Sequence, residues 1–306
     1  MVRDRIPGIR YIGRMRENAA LNAAFEFISN ETEYDRAFAV AQQAEQRLHT
    51  LEPAPDHEDV IEAIIDRGEL PDDFAAAVEH HNAAVARREA ERLALENTRT
   101  YAAGRCWALF SYHAPRLLEH LHGQLTALID ECRPAAETLA DLTDPADVLR
   151  AGATAAAAFT ELDEAWKRYI TIRGGQNRVV RETFDDVLVS NCKSEHCTDP
   201  AASDLIARNL DTVFPDWRLR ADVAQKVTVG RVGVYAESVA PPWPQNGPLQ
   251  LSWLLAHDAE LWVPTSAQVE QLHAERHRPT PTDAKRPKPG PEQQRRATHQ
   301  HGVIHA

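Results

Sequence analysis

Residues 103–132 read AGRCWALFSYHAPRLLEHLHGQLTALIDEC. Ala103, Trp107, Phe110, Ala114, Leu117, Leu121, Leu125, Leu128 and Cys132 recur in it at steps of three and four. That is the spacing of a helix burying one narrow seam against a partner. The pattern extends upstream through Phe74, Val78, His81 and Val85, and turns polar between Arg87 and Thr100. A helix over residues 72–132 would run on the order of 90 Å at about 1.5 Å per residue. Pro115 lacks an N–H and crowds the carbonyl of Ser111, so a kink or break is expected between them. The charged interval from Arg87 to Thr100 is expected to stand in solvent as a stalk.

A partner helix is written from residue 143 onward. Thr143-Asp144-Pro145 puts a capping residue before a first-turn proline. Val148, Gly152, Ala155, Phe159, Leu162, Trp166 and Tyr169 then repeat at four and three, with Gly174-Gly175 as the expected end. The small residues from Gly152 to Ala158 leave room for close approach. Trp107, Phe110, Leu117 and Leu121 are expected to fill that groove in an antiparallel hairpin, joined through a short helix from Ala135 to Leu142.

Working outward, Asn30-Glu-Thr-Glu33 has the form of a capping box before a helix that Pro53 and Pro55 stop. Asp56 is placed to cap a short helix with Val60, Ile61, Ile64 and Ile65 as its buried stripe, closed by Gly68. Beyond Gly175 the texture changes. Asp199-Pro200 is expected to cap a helix carrying Leu205, Ile206, Leu210 and Phe214. Val227, Val229, Val232 and Val234 alternate as in a small β-hairpin. Pro241 to Pro248 reads as a connector, residues 249–262 as core of either type, and Thr265 or Ser266 as the cap of a last helix to Arg276.

The fold expected is therefore mainly α, an elongated antiparallel helical hairpin or bundle with a smaller C-terminal mixed α/β region and a disordered tail. Four segments follow: a basic arm with a short helix (1–29), a helical domain (30–175), a smaller mixed domain (176–276) and a basic tail (277–306).

The net charge of -12 is unevenly spread. Residues 1–17 carry +3 and residues 275–306 carry +4, leaving -19 between them. An acidic body repels polyphosphate, so nucleic acid is expected to meet only the basic ends, if either. Arginine outnumbers lysine by 29 to 5, a compositional bias that weakens arguments from arginine alone. No stretch has the roughly 20 apolar residues of a membrane span, and the N-terminus lacks a signal-peptide core. A cytoplasmic protein without a membrane partner is expected, and four cysteines fit reduced thiols there.

The search for chemistry yields few candidates. Cys192, His196 and Cys197 lie within six residues and form the nearest approach to a metal-ligand cluster, yet no second pair of ligands follows. Zinc, a reversible disulfide and an ordinary polar loop all remain open there. Glu119-His-Leu-His122 and Glu270-Gln-Leu-His273 share the Glu-x-x-His spacing of di-metal bundles. Leu117, Leu121 and Leu125 hold the seam, however, so Glu119 faces away from it. His80-His81 has no nameable partners, and Arg173-Gly-Gly175 and Gly230-Arg-Val-Gly233 are too short for phosphate loops. No catalytic residue and no cofactor is expected.

The reading that results is a non-catalytic assembly, scaffold or interaction protein, with a protein partner or self-association. The acidic helical body with a basic end is a layout shared with bacteriophage assembly proteins, though no motif of theirs occurs. The partner-binding residues expected are Arg276, Arg278, Lys285, Arg286, Lys288, Arg295 and Arg296. The alternatives are a nucleic-acid-associated accessory factor acting through the basic termini and a metal-dependent enzyme.

Overall fold

The computed structural model describes residues 15, 17–29, 33–54, 57–70, 72–194, 196–218 and 239–276. The chain is mainly α. Ten helices form among the described residues, α1 (Ala19–Ser29), α2 (Tyr34–Thr50), α3 (His57–Arg67), α4 (Phe74–Thr138), α5 (Pro145–Ala151), α6 (Ala153–Thr183), α7 (Asp186–Asn191), α8 (Leu210–Val213), α9 (Gly247–Ala256) and α10 (Ser266–Arg276). Two isolated β-bridges, Lys193 with Ser203 and Ala207 with Leu261, are the extended pairings seen there, and no strand forms among the described residues. The expected hairpin at Val227–Val234, the Asn30 and Asp56 caps and the tail from residue 277 lie outside the described residues.

Helix α4 runs 65 residues with both Pro115 and Pro134 inside it, so of the kink or break expected at Pro115 the break does not occur. An internal proline costs about 3 kcal/mol. Around it Leu117, Leu118, Leu121 and Leu125 are all but fully buried, and each such side chain contributes about 1.5–3 kcal/mol. Packing therefore outweighs the lost hydrogen bond. The short helix expected at Ala135–Leu142 is the last turn of α4 followed by turns.

The Arg87–Thr100 interval is not a free stalk. Helix α2 lies antiparallel along one flank of it, as Arg105 meets Glu33 at 3.2 Å, Arg99 meets Glu45 at 2.9 Å and Arg88 meets Glu52 at 3.5 Å. Ala41 and Ala44 of α2 are buried, so the helices meet through small side chains. By contrast two residues of the expected buried stripe of α3 are exposed, and Ile64 is only partly buried. Ile61 is 54% and Ile65 70% exposed.

Helix α6 corrects two expectations. Gly152, with φ +96°, ends α5 and starts α6, so the helix beginning at Pro145 is two helices. Gly174-Gly175 does not end α6, which continues to Thr183. The glycine serves close packing instead. A Cβ on Gly175 would stand 3.1 Å from Asn18 Oδ1 and 3.4 Å from both Leu121 Cδ2 and Leu21 Cβ.

That contact also fixes the register between α4 and α6. Leu121 faces Gly175, and Glu131 binds Arg168 at 2.7 Å, so the pair is antiparallel. The Gly152–Ala158 surface therefore lies nearer the end of α4 and does not receive Trp107 through Leu121. Phe110 stacks instead on Phe25 of α1, ring centroids 5.9 Å apart.

The C-terminal part joins the same core, which extends from Met15 to Val269. Asp199 caps only a turn, accepting from Ala201 N–H at 2.8 Å, and the regular helix waits until Leu210. Asn246 accepts from Leu249 N–H at 3.3 Å and starts α9. Ser252 of α9 donates to the Ala136 carbonyl at 2.7 Å and ties it to α4. Thr265 and Gln268 form a reciprocal capping box that opens α10. No helix among the described residues is long and apolar enough to cross a membrane.

Candidate functional site

Three places on the molecule gather distinctive side chains: a buried charge cluster, a cleft beside it, and the outward flank of α4. The cluster is centred on Asp204, whose side chain is fully buried. Its Oδ2 accepts from Arg218 Nη2, from Arg276 Nη1 at 2.7 Å and contacts His273 Nε2 at 3.1 Å. Asp211 bridges the same two guanidinium groups, 3.1 Å from Arg218 Nε and 2.7 Å from Arg276 Nε. Trp217 Nε1 donates to Asp211 as well. The arrangement balances two carboxylates against two guanidinium groups, with Asp204 fully buried and Asp211, Arg218 and Arg276 partly exposed; left unpaired, the buried Asp204 charge would cost several kcal/mol.

Arg173 closes the inner side. Its guanidinium donates to Gln176 Oε1, to the Trp262 carbonyl at 2.6 Å and to the Ile206 carbonyl at 3.1 Å. Gln176 in turn donates to the Leu205 carbonyl at 2.7 Å. Two α6 side chains thus satisfy backbone carbonyls of a segment that lacks regular structure, which helps residues 202–207 to be buried without forming a helix.

A cleft of about 430 Å³ opens next to this region, lined in part by His122, Arg208, Glu260, Trp262 and Glu275. The Val263 N–H donates to His122 Nδ1 at 3.3 Å. That bond needs an unprotonated Nδ1. Burial and then the positive charge of Arg173 hold the imidazole below its ordinary value, in the same direction. His122 therefore stands neutral at pH 7, with its proton on Nε2. Arg208 lies 6.0 Å from the Trp262 ring centroid. Among the residues lining the cleft none is a Ser, Thr, Cys or Lys nucleophile.

The sequence-derived metal candidates do not converge. Cys192 is buried at the end of α7, its thiol pushed up to about 12 by burial and the neighbouring Asp204 charge, while Cys197 is half-buried. Among the described residues no group of three His, Cys, Asp or Glu is placed to hold a metal ion, and Cys192 and Cys197 are free thiols. The two Glu-x-x-His motifs also separate. Glu119 and Glu270 are exposed, whereas His122 serves Val263 and His273 serves Asp204.

Of the expected partner-binding residues only Arg276 lies within the described part, and its guanidinium is held by Asp204 and Asp211 rather than presented outward. Arg278, Lys285, Arg286, Lys288, Arg295 and Arg296 lie outside the described residues. Sequence reasoning missed Asp204 and Arg218, because single charged residues in a segment without periodicity carry no local sign of burial, and it considered Arg173 only as part of a short glycine motif although it continues the seam four residues after Tyr169.

The third place is a surface. On α4, Ala102, Ala103 and Cys106 are buried, and the opposite side carries Leu93 at 55%, Tyr101 at 81% and Tyr112 at 78% exposure. Steps of eight and eleven residues keep these three on one side of a helix that turns about 100° per residue. Ala83, Ala86, Ala90, Asn97 and Ala108 lie on the same side and are exposed. Comparison with family models, curated proteins and solved structures finds no match for this chain.

Proposed function

We propose that this chain is a non-catalytic helical assembly or interaction protein that holds a protein partner along the outward flank of α4. The observation that carries this reading is the row of Leu93, Tyr101 and Tyr112, three large side chains left largely in water on one side of a 65-residue helix. An apolar surface of that kind is characteristic of a binding face. Tyrosine is also among the residues enriched where proteins meet, since it combines apolar area with a polar tip. The elongated antiparallel arrangement of α2, α4 and α6 suits such a role, because it displays a long side face around a narrow core.

The charge layout supports the same reading. The basic ends, +3 and +4, and the body of -19 attract one another between molecules as well as within one. A photoreactive phenylalanine analogue in place of Tyr101, irradiated in cells of the native host, tests the reading. A covalent protein adduct at Tyr101 is expected, with none when the analogue replaces Glu164 on the exposed side of α6. Irradiation without an adduct at Tyr101 would sink it.

A further inference from the structure

We infer that the partner of the α4 flank is a second copy of this chain, paired antiparallel about a two-fold axis near Thr98. The inference rests on the reading above and names its partner. Along the flank, the side chains run from small to large. Ala83, Ala86 and Ala90 occupy the half toward the N-terminal end of α4, and Tyr101 and Tyr112 the other half, with Leu93 and Asn97 between. Two such helices laid parallel and in register would set tyrosine against tyrosine and alanine against alanine. Their axes would have to splay, because the alanine half closes to about 8 Å and the tyrosine half cannot.

Reversing one copy removes the conflict. Tyr112 of one chain then falls on the Ala83–Ala86 surface of the other, Ala108 faces the Ala86–Ala90 turn, and Leu93 meets Gly104 and Tyr101. Large stands against small at the two ends of the flank, where Tyr112 meets alanine, and Leu93 and Tyr101 meet as an apolar pair nearer its centre. Knobs of this sort need holes of this sort.

Charge agrees with shape. The same reversal brings Glu91 of one copy beside Arg105 of the other, while a parallel pairing sets Glu91 toward the partner's Glu96; within the chain Glu91 also holds Arg88 at 3.2 Å and Glu96 holds Arg92 at 2.8 Å, so this preference is small. Arg105 uses Nη2 on Glu33 within its own chain, and its side chain stays 52% exposed, so donors remain for a second carboxylate. Like charges across a helix pair cost what opposite charges gain, so the difference favours the antiparallel form. The apolar face is also available: α2 covers the other side of α4 and leaves this one open.

The test adds one cysteine at a time to the full chain, as Ala86→Cys and as Ala108→Cys, and treats each alone and their mixture with a short bis-maleimide. The unaltered chain reports the background from its four native thiols. A cross-linked dimer is expected from the mixture and not from either variant alone, together with a dimer mass in light scattering. Tyr112→Ala is expected to weaken the dimer about tenfold, and Leu93→Glu to abolish it with unchanged helical circular dichroism. Cross-links within either variant alone would indicate a parallel pair and overturn the inference. A monomer throughout the micromolar range would also overturn it. In that case a Tyr101 photo-adduct containing a different protein leaves the interaction reading standing, and the absence of any adduct removes both.

Discussion

Gly247 stands against the indole of Trp166 so closely that a Cβ there would lie 2.2 Å from Cε2 and 2.3 Å from Nε1. The first turn of α9 is thereby pressed onto the middle of α6. Neither residue is special by itself, and the contact depends on the absence of one carbon atom. Gly247→Ala is expected to destabilise the protein by about 1–3 kcal/mol, the usual cost of overpacking. Urea unfolding followed by circular dichroism checks it, and an unchanged midpoint would mean that the indole swings aside freely.

The other helical glycines give an internal contrast. A Cβ on Gly123 would meet nothing within 4 Å, whereas one on Gly175 would meet Asn18 Oδ1 at 3.1 Å. Asn18 cannot easily give way, since its Oδ1 accepts from Leu21 N–H and its Nδ2 donates to the Thr171 carbonyl. Gly123→Ala is therefore expected to stabilise by about 1 kcal/mol through helix propensity. Gly175→Ala is expected to destabilise. Thermal unfolding of the two variants should move in opposite directions.

Removing the charge of Asp204 would leave Arg218 and Arg276 without their buried counter-ion. Asp204→Asn is expected to cost about 3–5 kcal/mol, as for other buried pairs broken on one side. Asp211 holds the same arginines but is 43% exposed, and Asp211→Asn should cost about 1 kcal/mol or less. Chemical denaturation of both variants tests the ordering. Equal losses would contradict the placement of Asp204 at the centre.

His122 links stability to mild acid. Its folded-state value lies below the ordinary 6.5, because burial and Arg173 disfavour the imidazolium. The unfolded chain then binds the proton more readily, so this contribution is complete above about pH 6.5 and is lost as pH falls toward the folded value. Protonation also removes the acceptor for Val263 N–H. His122→Asn should flatten the pH dependence of the unfolding midpoint between pH 7 and 5.

The thiols act at the alkaline end. Burial pushes Cys192 up to about 12 and Cys132 to about 11, from an ordinary 9.0. Their folded forms hold protons that the unfolded chain releases, so stability should fall as pH rises above about 9. Iodoacetamide at pH 8 is expected to modify the half-buried Cys197 first and to reach Cys106, Cys132 and Cys192 only on unfolding. Mass spectrometry of partly labelled protein reads the order directly.

Much of the helical framework was legible in the chain. The three-and-four spacing from Ala103 to Cys132 and from Val148 to Tyr169 marks faces that are buried in the structure, apart from the half-buried Trp107, Phe159 and Trp166 and the Gly152 break between α5 and α6. Periodicity of this kind is a local property, since a helix presents residues three and four apart on one side wherever it lies. Capping was legible for the same reason. Asp144 accepts from Ala146 N–H, and Thr265 and Gln268 close the start of α10.

What the tertiary structure alone decided is where those faces meet. Pro115 reads as a kink or a break, but with the buried leucines packed around it the helix continues through it as one element. Gly175 reads as an end, but its missing side chain admits Leu121 and Leu21. Asp204, His273, Arg218 and Arg276 are separated by up to 72 residues, and nothing in the local sequence of any one of them says that it will be neutralised by the others. Local spacing fixes a helix and its buried side because backbone geometry repeats. Registers between helices and buried charge pairs depend on distances between segments remote in the chain, which exist only once the whole core has closed.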